Sequence, residues 1–198
     1  MEFESNVFIN CPFDPDYHTL LRPLIYTIIY LGFEPQICQT TSSAVTRIER
    51  IKDMIKGSRF SIHDLSRCRP LKRKDLPRFN MPFELGLDMG CLEYGGGKLK
   101  TKRILILETQ RYHYQKVLSD IAGQDIENHN DDEQTLITKV RNWFSAMDAI
   151  KEYPQSTVIH DSYKDFIRDL EMRLISLADL AVPDFIKFSK WWIAKFPS

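Results

Sequence analysis

Apolar and polar positions along the chain alternate between short strand-like runs and stretches with helical spacing. Strands are predicted at residues 7–9, 34–39, 59–63, 103–107 and 124–128. Helices are predicted at residues 20–31, 44–56, 83–94, 112–119 and 136–150. Five alternating units of this kind predict an α/β fold, namely a flavodoxin-like five-stranded parallel sheet with helices on both faces.

Serine, glycine and proline mark the ends of the predicted helices. Ser42 or Ser43 is expected to cap the second helix, and Gly57 stands where a glycine often follows the last helical turn. Pro82 is expected to open the third helix. Pro23 is compatible with the first helix only near its first turn, where the missing N–H has no partner within the helix.

The alternation of strands and helices ends at Pro154. Beyond it, apolar residues at helical spacing predict one long amphipathic helix over 163–177, and Pro183 restarts a shorter helix that is rich in aromatic residues. We therefore expect an α/β domain over residues 1–150 and a C-terminal helical appendage over residues 151–198.

The appendage ends in the aromatic cluster FIKFSKWWIAKF at residues 185–196. Such a cluster either packs within the chain or forms a self-association surface, because aromatic side chains anchor protein interfaces. We expect a homo-oligomer, at least a dimer, in which Trp191 and Trp192 are partly buried.

Composition and charge narrow the class of protein. The 198 residues are 43% hydrophobic and 27% charged, which is typical of a folded globular protein. Because 27 Lys and Arg residues balance 27 Asp and Glu residues, the net charge gives no reason to expect duplex nucleic acid or an anionic membrane as a partner. The N-terminal segment MEFESNVFIN lacks the basic-then-apolar order of a signal peptide, so we expect a cytoplasmic protein.

Four cysteines and five histidines raise the question of metal or redox chemistry. The cysteines, at positions 11, 38, 68 and 91, form no C-x-x-C pair, and the histidines show no H-x-x-H or H-E-x-x-H spacing. These spacings predict neither a metal site nor a cofactor. Unpaired cysteines also fit a reducing compartment.

Glu84 is the first candidate for chemistry. In an open parallel sheet, ligands bind beyond the carboxyl ends of the strands, where loops and helix N-termini converge. Glu84 lies in the predicted first turn of a helix beside Phe83, Leu85 and Leu87, so its carboxylate is expected to face this crevice. It either stabilises the helix end through the helix dipole or acts on a bound ligand, and the nearby Asn80 favours the second role.

A second group of candidates surrounds the end of the third strand. Asp64 ends that strand, and it either caps the following turn or faces the crevice. Seven Lys and Arg residues lie between positions 59 and 78. This basic segment is either a solvated loop or a phosphate site in which Arg67 or Arg78 holds the anion.

Four segments resemble a known group of proteins: FINCPFD (8–14), SIHDLSR (61–67), LPRFNMPFELGLDMG (76–90) and KVLSDIAGQDI (116–126). In this order they resemble the bacterial TIR-like proteins of the nucleoside 2-deoxyribosyltransferase-like superfamily, a group rich in phage-defence effectors. The resemblance covers about residues 5–145 and leaves out the C-terminal tail.

The resemblance implies roles for individual residues. Glu84, followed by Leu85 and Gly86, matches the catalytic carboxylate of the superfamily, and the proline-containing loop after the first strand matches the segment that borders the base. An Asp or Asn before the Glu contacts sugar hydroxyls, and Asn80 and Asp64 are the nearest matches. The substrate-binding candidates are Asn10, Cys11, Pro12, Phe13, Asp64, Arg67, Arg78 and Asn80.

The function that the resemblance implies is cleavage of an N-glycosidic bond. At residues 78–81 the chain reads RFNM, where deoxyribosyltransferases usually have an Asp-Ser-Gly-Thr type stretch, and this departure disfavours deoxyribosyl transfer. We expect an NAD(P) nucleosidase or nucleoside N-glycosidase-type hydrolase in bacterial anti-phage defence, with NAD or a related nucleotide as substrate. The resemblance also suggests a defence-system protein as a partner. The alternatives are a non-catalytic sensor of a nucleotide signal and a TIR-type assembly module.

Overall fold

Within the described residues, the fold contains one five-stranded sheet whose strand pairs are all parallel. The computed structural model describes residues 3–38, 44–68, 76–112, 114–147, 149–150 and 154–196. The strands are β1 (Asn6–Asn10), β2 (Glu34–Ile37), β3 (Phe60–Asp64), β4 (Arg103–Glu108) and β5 (Ile126–Asn128). Their order in the sheet is β2-β1-β3-β4-β5, which is the flavodoxin-like order, so the predicted α/β fold class is confirmed.

Six α-helices accompany these strands in the described part of the chain. They are α1 (His18–Tyr30), α2 (Arg47–Lys56), α3 (Asn80–Tyr94), α4 (Glu133–Ala146), α5 (Ser156–Met172) and α6 (Val182–Lys195). Short 3₁₀ helices lie at Phe3–Ser5, Pro15–Tyr17, Gly97–Thr101, Tyr114–Lys116 and Ser119–Ile121. None of the described helices combines the length and the apolar character that crossing a membrane requires.

The start of α2 differs from the prediction, whereas the helix ends at Lys56 before Gly57 as predicted. The helix begins after Thr46, whose hydroxyl accepts a hydrogen bond from the Glu49 backbone N–H, while the Glu49 carboxylate accepts one from the Thr46 N–H. This reciprocal capping box fixes the start of the helix, whereas the expected caps Ser42 and Ser43 lie outside the described residues. Gly57 ends the helix with φ −86°, so no left-handed turn is needed there.

Two prolines and one short helix also depart from expectation. Pro23 is the sixth residue of α1, so the carbonyl of Thr19 lacks its usual helical N–H partner. Pro82 is the third residue of α3 rather than the first, and it costs no helical hydrogen bond there. The helix predicted at 112–119 is reduced to 3₁₀ turns, and Tyr112 before them adopts a left-handed conformation with φ 65°.

The chain forms two compact units, and each is built from two separate segments. The first comprises residues 1–14 and 34–130 and contains the sheet together with α2 and α3. The second comprises residues 15–33 and 131–198 and contains α1, α4, α5 and α6. The two C-terminal helices therefore share a compact unit with α1 and α4.

Apolar side chains of α2, α3 and the strands form the core of the first unit. Phe8 and Ile51 belong to one buried cluster, against which Leu87 of α3 packs. Leu85 of α3 and Ile106 of β4 belong to another. Each fully buried side chain of this size contributes about 1.5–3 kcal/mol. This packing holds α3 against the strands and sets where its N-terminal turns lie.

Aromatic side chains form the core of the second unit. The ring of Phe166 lies 5.4 Å from that of Tyr26, 5.6 Å from that of Phe185 and 5.8 Å from that of Trp192, measured between centroids. Trp192 is thus buried within its own chain. For this residue the structure agrees with the first of the two alternatives, packing within the chain. Trp191 is 41% exposed.

Candidate active site

A cavity of about 250 Å³ lies at the carboxyl end of β1, beside the first turns of α3. It is lined by Asn10, Cys11, Pro12, Phe13, Asp14, Arg47, Arg78, Asn80, Met81 and Glu84. In a flavodoxin-like sheet the boundary between β1 and β3 is the topological switch point, where ligands bind. Seven of the nine site residues predicted from the sequence surround this cavity.

Glu84 is the buried acid of the cavity. It is the fifth residue of α3, and only 5% of its surface is exposed. Burial raises the pKa of the Glu84 carboxyl above its ordinary value, and the Arg47 guanidinium offsets part of that rise. The charge of such a carboxyl responds to any further charge that a ligand brings into the cavity.

Arg47 is a cavity residue that the sequence analysis missed. The capping box of Thr46 and Glu49 places it as the first residue of α2. Its Nη1 donates a hydrogen bond of 3.3 Å to the Cys38 carbonyl, and its Cζ lies 5.9 Å from the centre of the Phe13 ring. The T-x-x-E pattern that starts at Thr46 is typical of a helix start, so it could have predicted Arg47 as the first residue of the helix.

Two hydrogen bonds fix the side chain of Asn10. Its Nδ2 lies 2.8 Å from the Met81 carbonyl oxygen and 2.9 Å from Nδ1 of His63. Both amide hydrogens are donated in these bonds, so Oδ1 is the remaining polar atom and can only accept. Asn10 therefore offers a ligand hydroxyl a fixed acceptor at the cavity wall.

A buried ion pair supports Asn10 from the side away from the cavity. Because Nδ1 of His63 accepts from Asn10, the bonding assigns the proton to Nε2, which donates to Oδ2 of Asp88 at 3.0 Å. Oδ1 of Asp88 lies 3.0 Å from Nζ of Lys102, and all three of these side chains are fully buried. Burial opposes ionisation of Asp88, but His63 and Lys102 together hold its pKa below the ordinary value.

Asp64 does not line the cavity. Its Oδ1 accepts a hydrogen bond of 2.8 Å from the Ser66 backbone N–H, and its Oδ2 lies 3.0 Å from Nε2 of His129. The first contact is the turn-capping role that the sequence left open. His129, which the sequence analysis passed over, is brought there by its backbone N–H bond to the Glu108 carbonyl at the end of β4.

The two candidate phosphate-binding arginines occupy different places. Arg78 lines the cavity, is exposed, and forms an ion pair with Asp14. Arg67 is not among the lining residues, although its carbonyl accepts a hydrogen bond of 2.9 Å from the Arg78 N–H. Residues 69–75 of the basic segment lie outside the described residues. A phosphate bound by Arg78 would therefore compete with Asp14.

Cys11 lines the cavity as a neutral thiol. Burial, reinforced by the carboxylates of Asp64 and Glu84, raises its pKa well above the ordinary value. The side chain can pack against a ligand, but it supplies no thiolate nucleophile. Among the residues that the structure describes, no group of three or more His, Cys, Asp or Glu side chains is placed to hold a metal ion.

Comparison of the chain with protein-family models, with curated proteins and with solved structures found no match. What the cavity can do follows from its own groups: a buried carboxyl with a raised pKa, a guanidinium close to it, and a fixed amide acceptor. These groups can stabilise a developing positive charge and bind hydroxyl groups.

Proposed function

We propose that the chain is an N-glycosidase that hydrolyses the N-ribosyl bond of NAD or a related nucleotide. The observation that carries the proposal is the buried carboxyl of Glu84 at the wall of a cavity that Asn10 also lines. Breaking an N-ribosyl bond develops positive charge on C1′, and a preorganised carboxylate beside that atom lowers the barrier. The sequence resemblance to TIR-like proteins supports the same role for Glu84.

Glu84 must be ionised for this role, and a cationic substrate favours ionisation. Nicotinamide bound to ribose carries a positive charge, which opposes the effect of burial on the Glu84 pKa. When the C1′–N bond breaks, its electron pair goes to the nicotinamide nitrogen, so the base leaves neutral and needs little acid assistance. Water then bonds to C1′ through oxygen and releases one proton.

The size of the cavity limits what it can enclose. Ligand pockets usually measure about 300–1,000 Å³, so a cavity of about 250 Å³ fits one nucleoside-sized group rather than a whole dinucleotide. In our proposal the ribose and its base occupy the cavity, with a ribose hydroxyl on Asn10 and the base beside Phe13. Asn80 at the start of α3 is a second hydroxyl partner, and Arg78 takes the phosphate at the rim.

Substitution of Glu84 tests the proposal. The purified full chain, Glu84→Gln and Glu93→Gln are incubated with NAD, NADP and nucleoside monophosphates, and the released base is quantified by chromatography. We expect Glu84→Gln to lose about 10²–10³-fold or more in turnover, because it removes the charge that opposes the C1′ cation. Glu93→Gln, an exposed acid on the same helix, keeps the wild-type rate.

Two results would count against hydrolysis by Glu84. Unchanged turnover in Glu84→Gln contradicts the mechanism. Tight nucleotide binding by the wild type without any turnover contradicts the enzyme and supports the sensor of a nucleotide signal instead.

We further propose a cytoplasmic homo-oligomer that acts without a cofactor in bacterial anti-phage defence. The support for association is Trp191, which remains 41% exposed and lies beneath the guanidinium of Arg173 at 4.9 Å and the ammonium of Lys195 at 4.8 Å. Light scattering of wild type, Trp191→Ala and the control Tyr94→Ala, which removes an exposed aromatic ring of the first compact unit, tests this. A wild-type mass of one chain at micromolar concentration contradicts it.

A further inference from the structure

A second and larger cavity lies within the second compact unit, on residues that the proposed hydrolysis does not use. Its volume is about 720 Å³, which is within the usual range for ligand pockets. Side chains of α1, α4 and α5 line it together with the loop that follows α5. Ile167, Leu177 and Ala178 contribute apolar walls.

Arg22 stands at the wall of this cavity although only 6% of its surface is exposed. Its Nη2 donates hydrogen bonds to the carbonyls of Leu177 and Leu180, the second at 3.3 Å, and its Cζ lies 5.4 Å from the centre of the Phe185 ring. Nη1 is shielded from water and has no hydrogen-bond partner among the described residues. Nη2 is thus hydrogen-bonded within the fold, whereas Nη1 is not.

Burial of the Arg22 cation is unfavourable, because it removes the charge from water. Burial lowers the Arg22 pKa, and the electrostatic contribution of Tyr163 only partly offsets that shift. Glu133 of α4 also lines the cavity, but Oε1 of its carboxylate lies 2.8 Å from Nε2 of His160. A buried charge without a paired countercharge is unfavourable, and an anionic ligand would relieve the cost.

The charges around the cavity indicate how much negative charge the ligand carries. Three cations and two carboxylates line it: Arg22, Lys164, Arg168, Glu133 and Glu171. Arg168 already pairs with Asp165 and Lys164 is exposed, so Arg22 is the one buried cation of this lining, which matches a singly charged anion. A nucleotide polyphosphate would face too few cations and mostly apolar walls.

We propose that this cavity binds a small amphipathic carboxylate, with its carboxylate against Arg22 and its hydrocarbon body against Ile167, Leu177 and Ala178. The carboxylate accepts charge-assisted hydrogen bonds from Nη1, because Nη2 already donates to the carbonyls of Leu177 and Leu180. The hydrocarbon body gains by leaving water for the apolar walls.

Calorimetric titration of the full chain with octanoate and with 1-octanol tests the proposal, because the two probes share a hydrocarbon chain and differ in charge. We expect octanoate to bind one site per chain and to bind more tightly than 1-octanol. Arg22→Gln weakens octanoate binding by about 10- to 100-fold and leaves 1-octanol binding nearly unchanged. Arg141→Gln is the matched control, because Nε of Arg141 also donates to a carbonyl of this unit, that of Pro154 at 2.8 Å, outside the cavity.

A second variant covers the case in which Arg22→Gln fails to fold. Ala178→Trp places an indole in the exposed loop at the cavity wall and keeps the guanidinium, so it blocks octanoate while the protein stays folded. The proposal is overturned if the wild type does not bind octanoate or binds 1-octanol as tightly. It is also overturned if Ala178→Trp, or a folded Arg22→Gln, retains wild-type affinity for octanoate.

Discussion

Nη2 of Arg47 lies 3.8 Å from Oε1 of Glu84, within electrostatic range but beyond the length of a hydrogen bond. The side chain of Arg47 is 47% exposed and that of Glu84 only 7%, so solvent weakens the influence of the cation on the acid. Burial therefore remains the larger effect, and the pKa of Glu84 stays above its ordinary value. A cationic group that enters the cavity would lower the pKa of Glu84.

The first prediction concerns the pH profile of hydrolysis. Activity should fall on the acid side as Glu84 becomes protonated, at a pH above the ordinary glutamate pKa of about 4.3. Arg47→Gln removes the group that lowers the Glu84 pKa, so this acid limb should move to higher pH. The measurement is kcat/KM against pH, with Arg59→Gln as control because Arg59 pairs with Glu4 outside the cavity. A limb that stays in place or moves to lower pH contradicts the assignment.

The second prediction concerns the stability of Glu84→Gln. Because folding raises the pKa of Glu84, the unfolded chain ionises first as the pH rises, and the wild type loses stability from about pH 4.3 up to the folded-state pKa. Glutamine does not titrate, so the variant escapes this loss. The free energy of unfolding of Glu84→Gln relative to wild type should therefore be higher at about pH 7 than at about pH 4.

Urea denaturation at the two pH values measures this difference. Glu93→Gln serves as control because Glu93 is an exposed acid on the same helix. Glu84→Gln could instead lose stability relative to wild type as the pH rises. In that case the ionised form of Glu84 stabilises the fold, and the proposed effect of burial on its pKa is wrong.

The third prediction concerns the buried pair of Asp88 and Lys102. Lys102→Met leaves the Asp88 carboxylate buried without its cation, which should cost about 3–5 kcal/mol of stability. Lys100→Met is the control, since Lys100 is exposed and donates to the Glu93 carbonyl. Chemical denaturation measures both variants, and a loss below about 1 kcal/mol for Lys102→Met would show that the pair is not what stabilises this wall.

The meeting of Asn10 and Glu84 could be predicted from the sequence for a topological reason. The carboxyl ends of parallel strands and the N-terminal turns of the following helices converge at one edge of the sheet. Once residues 7–9 were assigned to a strand and Phe83–Tyr94 to a helix, both side chains were expected at that edge. The observed strand order places them as expected.

Arg47 and His129 could not be placed in the same way. Arg47 reaches the cavity because the capping box at Thr46 starts α2 several residues later than a cap at Ser42 or Ser43 would. His129 meets Asp64 only after β5 pairs with β4, which is a contact between segments far apart in the chain. Apolar periodicity predicts elements, but it carries little information on which polar side chains meet between them.

The last prediction separates the two arginines that the sequence offered for phosphate binding. Arg78 lines the cavity and Arg67 does not, so only Arg78→Ala should weaken a phosphorylated ligand more than the bare nucleoside. The expected difference is about 10- to 100-fold, the value of one charge-assisted hydrogen bond. Asp14→Asn should strengthen phosphate binding, because it removes the carboxylate that now pairs with Arg78. Calorimetry with nicotinamide mononucleotide and nicotinamide riboside measures these effects. If Arg78→Ala loses equal affinity for both ligands, this arginine stabilises the loop and does not bind the phosphate.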